Sequence, residues 1–216
     1  MRYVLILFLA IIIVSFSTNS LHSQFIKNYG IQIGITSANQ EYSGSAFPLA
    51  EIDLKRRLGF LGGFQIEWLD VSYISIITQI EYIQKGMGIE GIVTGQNSPE
   101  PLGTRTDYSR LDYLSLPVLL RLSLIHRPIT PYVIAGPRYD YLLNYDSSEF
   151  MNYVFDNFRR DVFGAAIGIG IESNIPKLIN LVLELRYNLD FTDSLKLEGK
   201  ESKNNTFDLR VGYYFN

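Results

Sequence analysis

The sequence predicts an all-β chain: an eight-stranded antiparallel up-and-down barrel that crosses a membrane. Three observations carry this. Residues 205–216 alternate strictly, with Phe207, Leu209, Val211, Tyr213 and Phe215 on one face and Asp208, Arg210, Gly212 and Tyr214 on the other. Charges of both signs beside glycine on one face, against apolar residues ending in aromatics on the other, are the pattern of a strand between lipid and a polar lumen. Seven further segments alternate similarly, and the connections joining the eight are alternately long and short.

The N-terminal segment reads as an address. Arg2 precedes an apolar run over residues 3–16 and a polar stretch over 17–23, the order of regions in a cleavable signal peptide. Residues 1–23 are therefore expected to be a signal peptide and residues 24–216 the barrel domain. Cleavage after Ser23 leaves Gln24 first; cleavage after Ser20 is the alternative. An uncleaved anchor is the competing reading, and the run is short for a spanning helix.

The first strand is expected over residues 30–36, where Ile31, Ile33 and Ile35 alternate with Gln32 and Gly34. The second, over 58–68, sets Leu58, Phe60, Phe64, Ile66 and Trp68 against Gly59, Gly63, Gln65 and Glu67. In the third, over 73–85, Ile74, Ile76, Thr78, Ile80 and Tyr82 oppose Ser75, Gln79, Glu81 and Lys85. The fourth, over 111–124, sets Leu114, Leu116, Val118, Leu120 and Leu122 against Tyr113, Ser115 and Arg121.

The fifth, over 132–143, is less regular. Val133, Ala135, Tyr139, Tyr141 and Leu143 oppose Arg138 and Asp140, while Tyr132 and Ile134 fall on the polar side. Pro117 and Pro137 lie inside the fourth and fifth segments. A proline removes a ladder donor, so a bulge is expected at each. The sixth segment, over 162–172, sets Phe163, Ala165, Ile167, Ile169 and Ile171 against glycines and Glu172. The seventh, over 181–191, sets Leu181, Leu183, Leu185, Tyr187, Leu189 and Phe191 against Val182, Glu184, Arg186, Asn188 and Asp190.

The connections order the strands. Residues 37–57, 86–110, 144–161 and 192–204 form long gaps; 69–72, 125–131 and 173–180 form short ones. Outer membrane barrels place long loops outside and short turns in the periplasm, so both termini are expected to be periplasmic. The long gaps are rich in Gly, Ser, Asn and Pro and read as solvated, mobile loops.

Periodicity alone does not decide which face meets lipid, because a lipocalin-like barrel alternates with its apolar side inward. Aromatics decide it. Phe60, Trp68, Tyr82, Phe163, Phe191, Phe207, Tyr213 and Phe215 gather at strand ends on the apolar face, where rings sit at headgroups. Twelve charged residues then face inward: Glu67, Glu81, Lys85, Arg121, Arg138, Asp140, Glu172, Glu184, Arg186, Asp190, Asp208 and Arg210. They form either an ion pathway or a salt-bridge plug. The narrow bore of an eight-stranded, OmpA/OmpX-like barrel favours the plug.

The formal charge of −3 offers no basic footprint for nucleic acid, and the absence of cysteine excludes disulfides and a thiolate nucleophile. The two histidines are His22, within the signal segment, and His126, in a short turn. A Ser–His or Asp–His site among the long loops therefore cannot be assembled. Asp146, Glu149, Asp156 and Asp161 cluster in one long gap and could act as carboxylates or hold Ca²⁺. Their spacing matches no loop motif, so no catalytic, cofactor or metal residue is assigned.

Leu111-Asp112-Tyr113-Leu114-Ser115-Leu116-Pro117-Val118-Leu119-Leu120-Arg121 and Pro131-Tyr132-Val133-Ile134-Ala135-Gly136-Pro137 resemble the paired signature of the PorT-like outer membrane β-barrel family of Bacteroidota-type bacteria. Asp161 with Gly164, Gly168 and Gly170, then Leu185-Arg186-Tyr187 and Val211-Gly212-Tyr213-Tyr214-Phe215, continue the resemblance. It implies that Pro117 and Pro137 are tolerated, that Gln24 starts the mature chain, and that a role in protein secretion is open. The expected partners are outer membrane lipid and other envelope proteins. The leading function is structural or interactive: adhesion, envelope integrity or partnership with a secretion machine. A transport or binding barrel is the alternative, and a carboxylate-based enzyme is the third reading. Oligomeric state is left open.

Overall fold

The computed structural model describes residues 26–43, 54–69, 73–95, 98–125, 128–146, 158–173, 180–194 and 201–215. Eight strands close into one barrel in chain order: β1 (Ile26–Ser43), β2 (Leu54–Trp68), β3 (Ile74–Gly95), β4 (Ser98–Ser123), β5 (Ile129–Asp146), β6 (Asp161–Ser173), β7 (Leu181–Asp190) and β8 (Glu201–Phe215). Each strand pairs antiparallel with its sequence neighbours, and β8 returns to β1 from Tyr29↔Phe215 to Ser43↔Glu201. Closure leaves no unpaired edge among these strands, which is what lets a sheet sit in hydrocarbon.

The alternation read from the sequence holds with the polar row inward. On β7, Val182, Glu184, Arg186, Asn188 and Asp190 are buried while Leu181, Leu183, Leu185 and Leu189 are exposed. On β6, Phe163, Ile167, Ile169 and Ile171 lie exposed across from that row. So wide a band of exposed Ile, Leu and Phe running round every strand would not persist in water. Its borders are aromatic. Tyr29, Tyr213 and Phe215 pack together at the short-turn end. Phe60–Tyr82, Tyr139–Phe163 and Tyr187–Phe207 pair toward the other end.

Three expectations are corrected. First, the fifth strand keeps its parity from Thr130 to Leu142, before a register shift at Leu143: Thr130, Tyr132, Ile134, Arg138, Asp140 and Leu142 are all buried. Tyr132 and Ile134 are apolar residues that belong inside, where they join Ile77, Leu119, Ala166, Val182 and Tyr214 in a hydrophobic cluster.

Second, no bulge forms at Pro117 or Pro137. The β4–β5 register passes from Pro117↔Arg138 to Leu120↔Ala135 without a shift, and β5–β6 runs unbroken through Pro137↔Ala165. Each proline lacks an N–H, and the ladder omits rungs there instead of inserting a residue. Gly136 lets the strands close around the gap, since a Cβ there would lie 2.1 Å from the Val118 carbonyl oxygen.

Third, the gap over residues 86–110 is mostly strand. β3 runs for 22 residues and β4 for 26, far beyond the roughly ten that span a bilayer. The two extend together to Gly95↔Ser98, with register shifts near Thr94. Gly86 permits this continuation: it sits at φ +132, and a Cβ there would meet the Ser109 carbonyl oxygen at 2.1 Å. β1, β5 and β8 also run into their long gaps, so the barrel wall rises well past the aromatic border at that end.

Candidate functional site

All twelve inward charges named from the sequence are buried, none more than 5% exposed. Seven carboxylates face five bases, and every one has a partner of opposite charge. Bare ions in such a site would cost several kcal/mol each, so pairing is the condition of their being there.

Nearest the short turns, Glu67 on β2 is the hub. It accepts from Ser75 Oγ at 2.6 Å, Asn28 Nδ2 at 3.0 Å and Lys27 Nζ at 3.2 Å. Arg121 of β4 approaches the same carboxylate at 3.6 Å, donates to Glu172 of β6, and lies 4.1 Å over the Tyr132 ring. A register shift between Ile26 and Asn28 lets Lys27 reach inward.

The middle of the lumen is one connected network. The Tyr132 hydroxyl donates to Glu184 Oε2 at 3.0 Å, and Arg186 Nε donates to Glu184 Oε1 at 2.8 Å. Arg186 NH1 continues to Gln79 Oε1 at 2.8 Å, whose amide donates to Gln65 Oε1 at 3.1 Å. Arg210 bridges β8 to β3, with NH1 2.5 Å from Glu81 Oε2 and NH2 2.6 Å from Asp208 Oδ2. Asn188 donates to that same Asp208 oxygen at 2.7 Å.

Toward the long hairpins, Lys85 of β3 donates to Asp140 at 2.6 Å and lies 3.3 Å from Asp190. Arg138 donates to Asp190 and stands 3.3 Å from Asp140, while Ser115 Oγ donates to Asp140 Oδ1 at 2.6 Å. Lys85 also sits 4.9 Å above the Tyr113 ring. Above this layer Leu61, Ile83, Met87, Leu111, Tyr113, Leu142, Phe158 and Val162 form a second buried cluster, beside buried polar side chains such as Gln40 and Ser202, hydrogen-bonded at 2.8 Å, and Asn204 and Ser194 at 3.1 Å.

The arrangement stitches strands that are remote in sequence, such as Arg210 to Glu81 and Lys85 to Asp190, across the bore. Each carboxylate is held by cations or hydroxyls and is not poised toward an open cavity. The sequence located these groups by parity but missed Lys27, Asn28 and the upper apolar cluster. The Lys27 irregularity has no parity signal; of the cluster, parity places Tyr113 inward, while Met87 and Phe158 fall in gaps expected to be loops.

The loop acids are not gathered into one site in the described residues. Asp161 accepts a hydrogen bond from the Tyr139 hydroxyl, and Asp146 lies 4.0 Å from Arg110. Glu149, Asp156, His22 and His126 lie outside the described residues, as does the signal segment. Among the described residues no group of three or more His, Cys, Asp or Glu is placed to hold a metal ion.

A closed ring of eight antiparallel strands, apolar outside, ringed by aromatics and ion-paired within, defines a transmembrane β-barrel. The chain belongs to the outer membrane protein beta-barrel domain family, whose model matches residues 22–196; it is an outer membrane β-barrel protein. Among solved structures it is similar in fold to the outer membrane protein OprG of Pseudomonas aeruginosa, at TM-score 0.54 and 10% identity over 89% of this chain and 98% of that one. It also aligns with Ail, the attachment invasion locus protein of Yersinia pestis, in complex with the heparin analogue sucrose octasulfate, at TM-score 0.43 and 17% identity over 87% and 98% of the two chains. Neisserial surface protein A aligns at TM-score 0.44 and 13% identity, over 87% of this chain and 97% of that one. No curated protein matches the chain in sequence.

Proposed function

We propose that this protein is a structural and interaction barrel of the outer membrane, plugged along its bore, with both termini periplasmic and its long hairpins displayed outside. One observation carries the reading: the twelve lumenal charges, seven acidic and five basic, are all buried and ion-paired, in three layers, with buried apolar side chains beside the lowest layer and above the highest. Ions crossing such a bore would have to displace paired, desolvated charges and then pass the packed side chains of the upper cluster. What remains accessible is the elevated rim, so binding to other molecules is the task the shape suits. The roles such a rim suits are adhesion, envelope integrity and partnership with a secretion machine. The resemblance to PorT-like barrels supports the last of these.

The barrel is proposed to follow a signal peptide over residues 1–23, and intact mass of the envelope-extracted protein should place Gln24 first. The plug is tested by reconstituting the purified protein in planar bilayers and swelling liposomes. We expect no steady conductance and no swelling with small sugars. A large, persistent open level would refute the plug and favour transport. Capture of the intact protein from its own envelope, followed by identification of what accompanies it, then separates a secretion partnership from a solitary structural role.

A further inference from the structure

We propose that the outer wall carries a binding groove for a phosphorylated lipid of the outer leaflet. The feature is a cavity of about 450 Å³ on the lipid-facing surface of β6, β7, β8, β1 and β2. Two adjacent outward rungs form its banks. Leu185, Leu209 and Ile35 are direct lateral neighbours on one bank; Tyr187, Phe207 and Ser37 are direct neighbours on the other. The groove begins at Ile169 on β6 and ends at Leu58 on β2. Ser37 is the small member of its bank, and it leaves the space between Phe207 and Leu58 open.

The groove is inclined to the membrane. Ile169 lies one outward residue from the short-turn end of the exposed apolar run of β6, whereas Leu58 is the outermost apolar residue of the exposed run on β2. Four strand spacings separate the ends, about 19 Å at the usual interval. A channel of that length rising to the outermost apolar residue of β2, lined by branched aliphatics and a tilted Tyr187–Phe207 pair, suits an acyl chain.

The upper end carries the charge. Arg56 is the next outward residue of β2 beyond Leu58; its guanidinium lies 5.3 Å over the Phe207 ring and donates to the Ser37 carbonyl at 3.4 Å. Both contacts fix the cation at the mouth of the groove, at the level where headgroup phosphates lie. A guanidinium has five N–H donors and binds phosphate in a fork. Chain in the groove and phosphate on Arg56 together specify an acylated, phosphorylated lipid. The leaflet assignment rests on the orientation proposed above.

The test uses the purified full-length barrel in a neutral detergent, titrated with monophosphoryl lipid A or its dephosphorylated form and read by native mass spectrometry. Arg56→Gln should weaken binding of the phosphorylated lipid about fivefold, the ratio for one Arg at an anionic surface. The parent should bind the dephosphorylated lipid as weakly as Arg56→Gln binds the phosphorylated one. Ser37→Leu, which fills the groove, should weaken both lipids, and Arg105→Gln, whose charge pairs with Asp107 elsewhere, should change neither. Equal binding by parent, Arg56→Gln and Ser37→Leu overturns the site, as does equal affinity for the two lipids. Orientation is read separately, from protease access on whole cells to a tag inserted between residues 44 and 53. A protected tag together with phosphate-dependent binding would overturn the outer-leaflet assignment and leave the groove standing.

Discussion

Arg210→Met is the sharpest probe of the lumenal network. Arg210 is 1% exposed and holds two carboxylates, Glu81 at 2.5 Å and Asp208 at 2.6 Å. Methionine keeps most of the side-chain length while removing the charge and all five donors. Glu81 is then left with Arg186 at 3.7 Å and Gln32 at 3.4 Å, and Asp208 with Asn188 at 2.7 Å. Removing one partner of a buried pair costs about 3–5 kcal/mol. The surviving partners put the expected loss near the bottom of that range, about 3 kcal/mol. The triple variant Arg210→Met, Glu81→Gln, Asp208→Asn removes all three charges together and should fall within about 1 kcal/mol of the parent, because no ion is stranded. Urea unfolding in lipid vesicles, followed by the emission of Trp68, reads both. With a denaturant slope of about 2 kcal/mol per molar, the single variant should lower the midpoint by about 1.5 M. A shift below about 0.5 M, or a triple variant less stable than the single one, refutes the claim that these charges are desolvated and mutually dependent.

Other perturbations test other layers of the account. Leu185→Arg places a cation in mid-band, where Leu185 is 54% exposed, and should cost about 2–4 kcal/mol in the same vesicles. Asn188→Ser, on the inward row, should cost about 1 kcal/mol for its weakened hydrogen bonds; if Leu185→Arg unfolds no more readily than the parent, the two faces are reversed. Gly86→Ala forces a Cβ into φ +132 and to 2.1 Å from a carbonyl oxygen, so a loss above about 2 kcal/mol is expected. Gly212→Ala, whose Cβ would find its nearest neighbour at 3.3 Å, should lose clearly less in the same melt. Trp68, the single tryptophan, sits at the short-turn end of β2 with its indole donating to Thr78 at 2.8 Å. Lipids brominated near the headgroup should therefore quench it more than lipids brominated at the chain terminus.

The two-residue period made the barrel legible because lipid and lumen impose opposite demands on adjacent side chains. Residues 181–191 obey that rule at every position but Val182, and β7 matches its expected span to within a residue. The reading weakened where the lumen is itself apolar. Tyr132 and Ile134 looked like parity errors because an inward side chain was assumed to be polar, yet they pack against Ile77 and Tyr214. Pro117 and Pro137 suggested bulges because a ladder was assumed to need every rung; the register is kept while bonds are omitted. The second long gap reads as loop because its polar, Gly- and Pro-containing chain extends beyond the apolar band, where a strand has no apolar face to display. The network's membership was visible from parity, but its pairings were not. That Arg210 meets Glu81 depends on the stagger of strands that no local pattern records.

The seam between the first and last strands has a consequence for biogenesis. Ser43 pairs with Glu201, and Ile31 with Tyr213, so the opening strand waits for nearly the whole polypeptide before it acquires its second neighbour. Loops that large are slow to close. Until they do, every partial sheet presents raw hydrogen-bonding edges and a greasy flank to water. Such a chain is a poor candidate for stepwise maturation, and it has to be carried, unfinished and shielded, to the place where all eight strands can be committed at once.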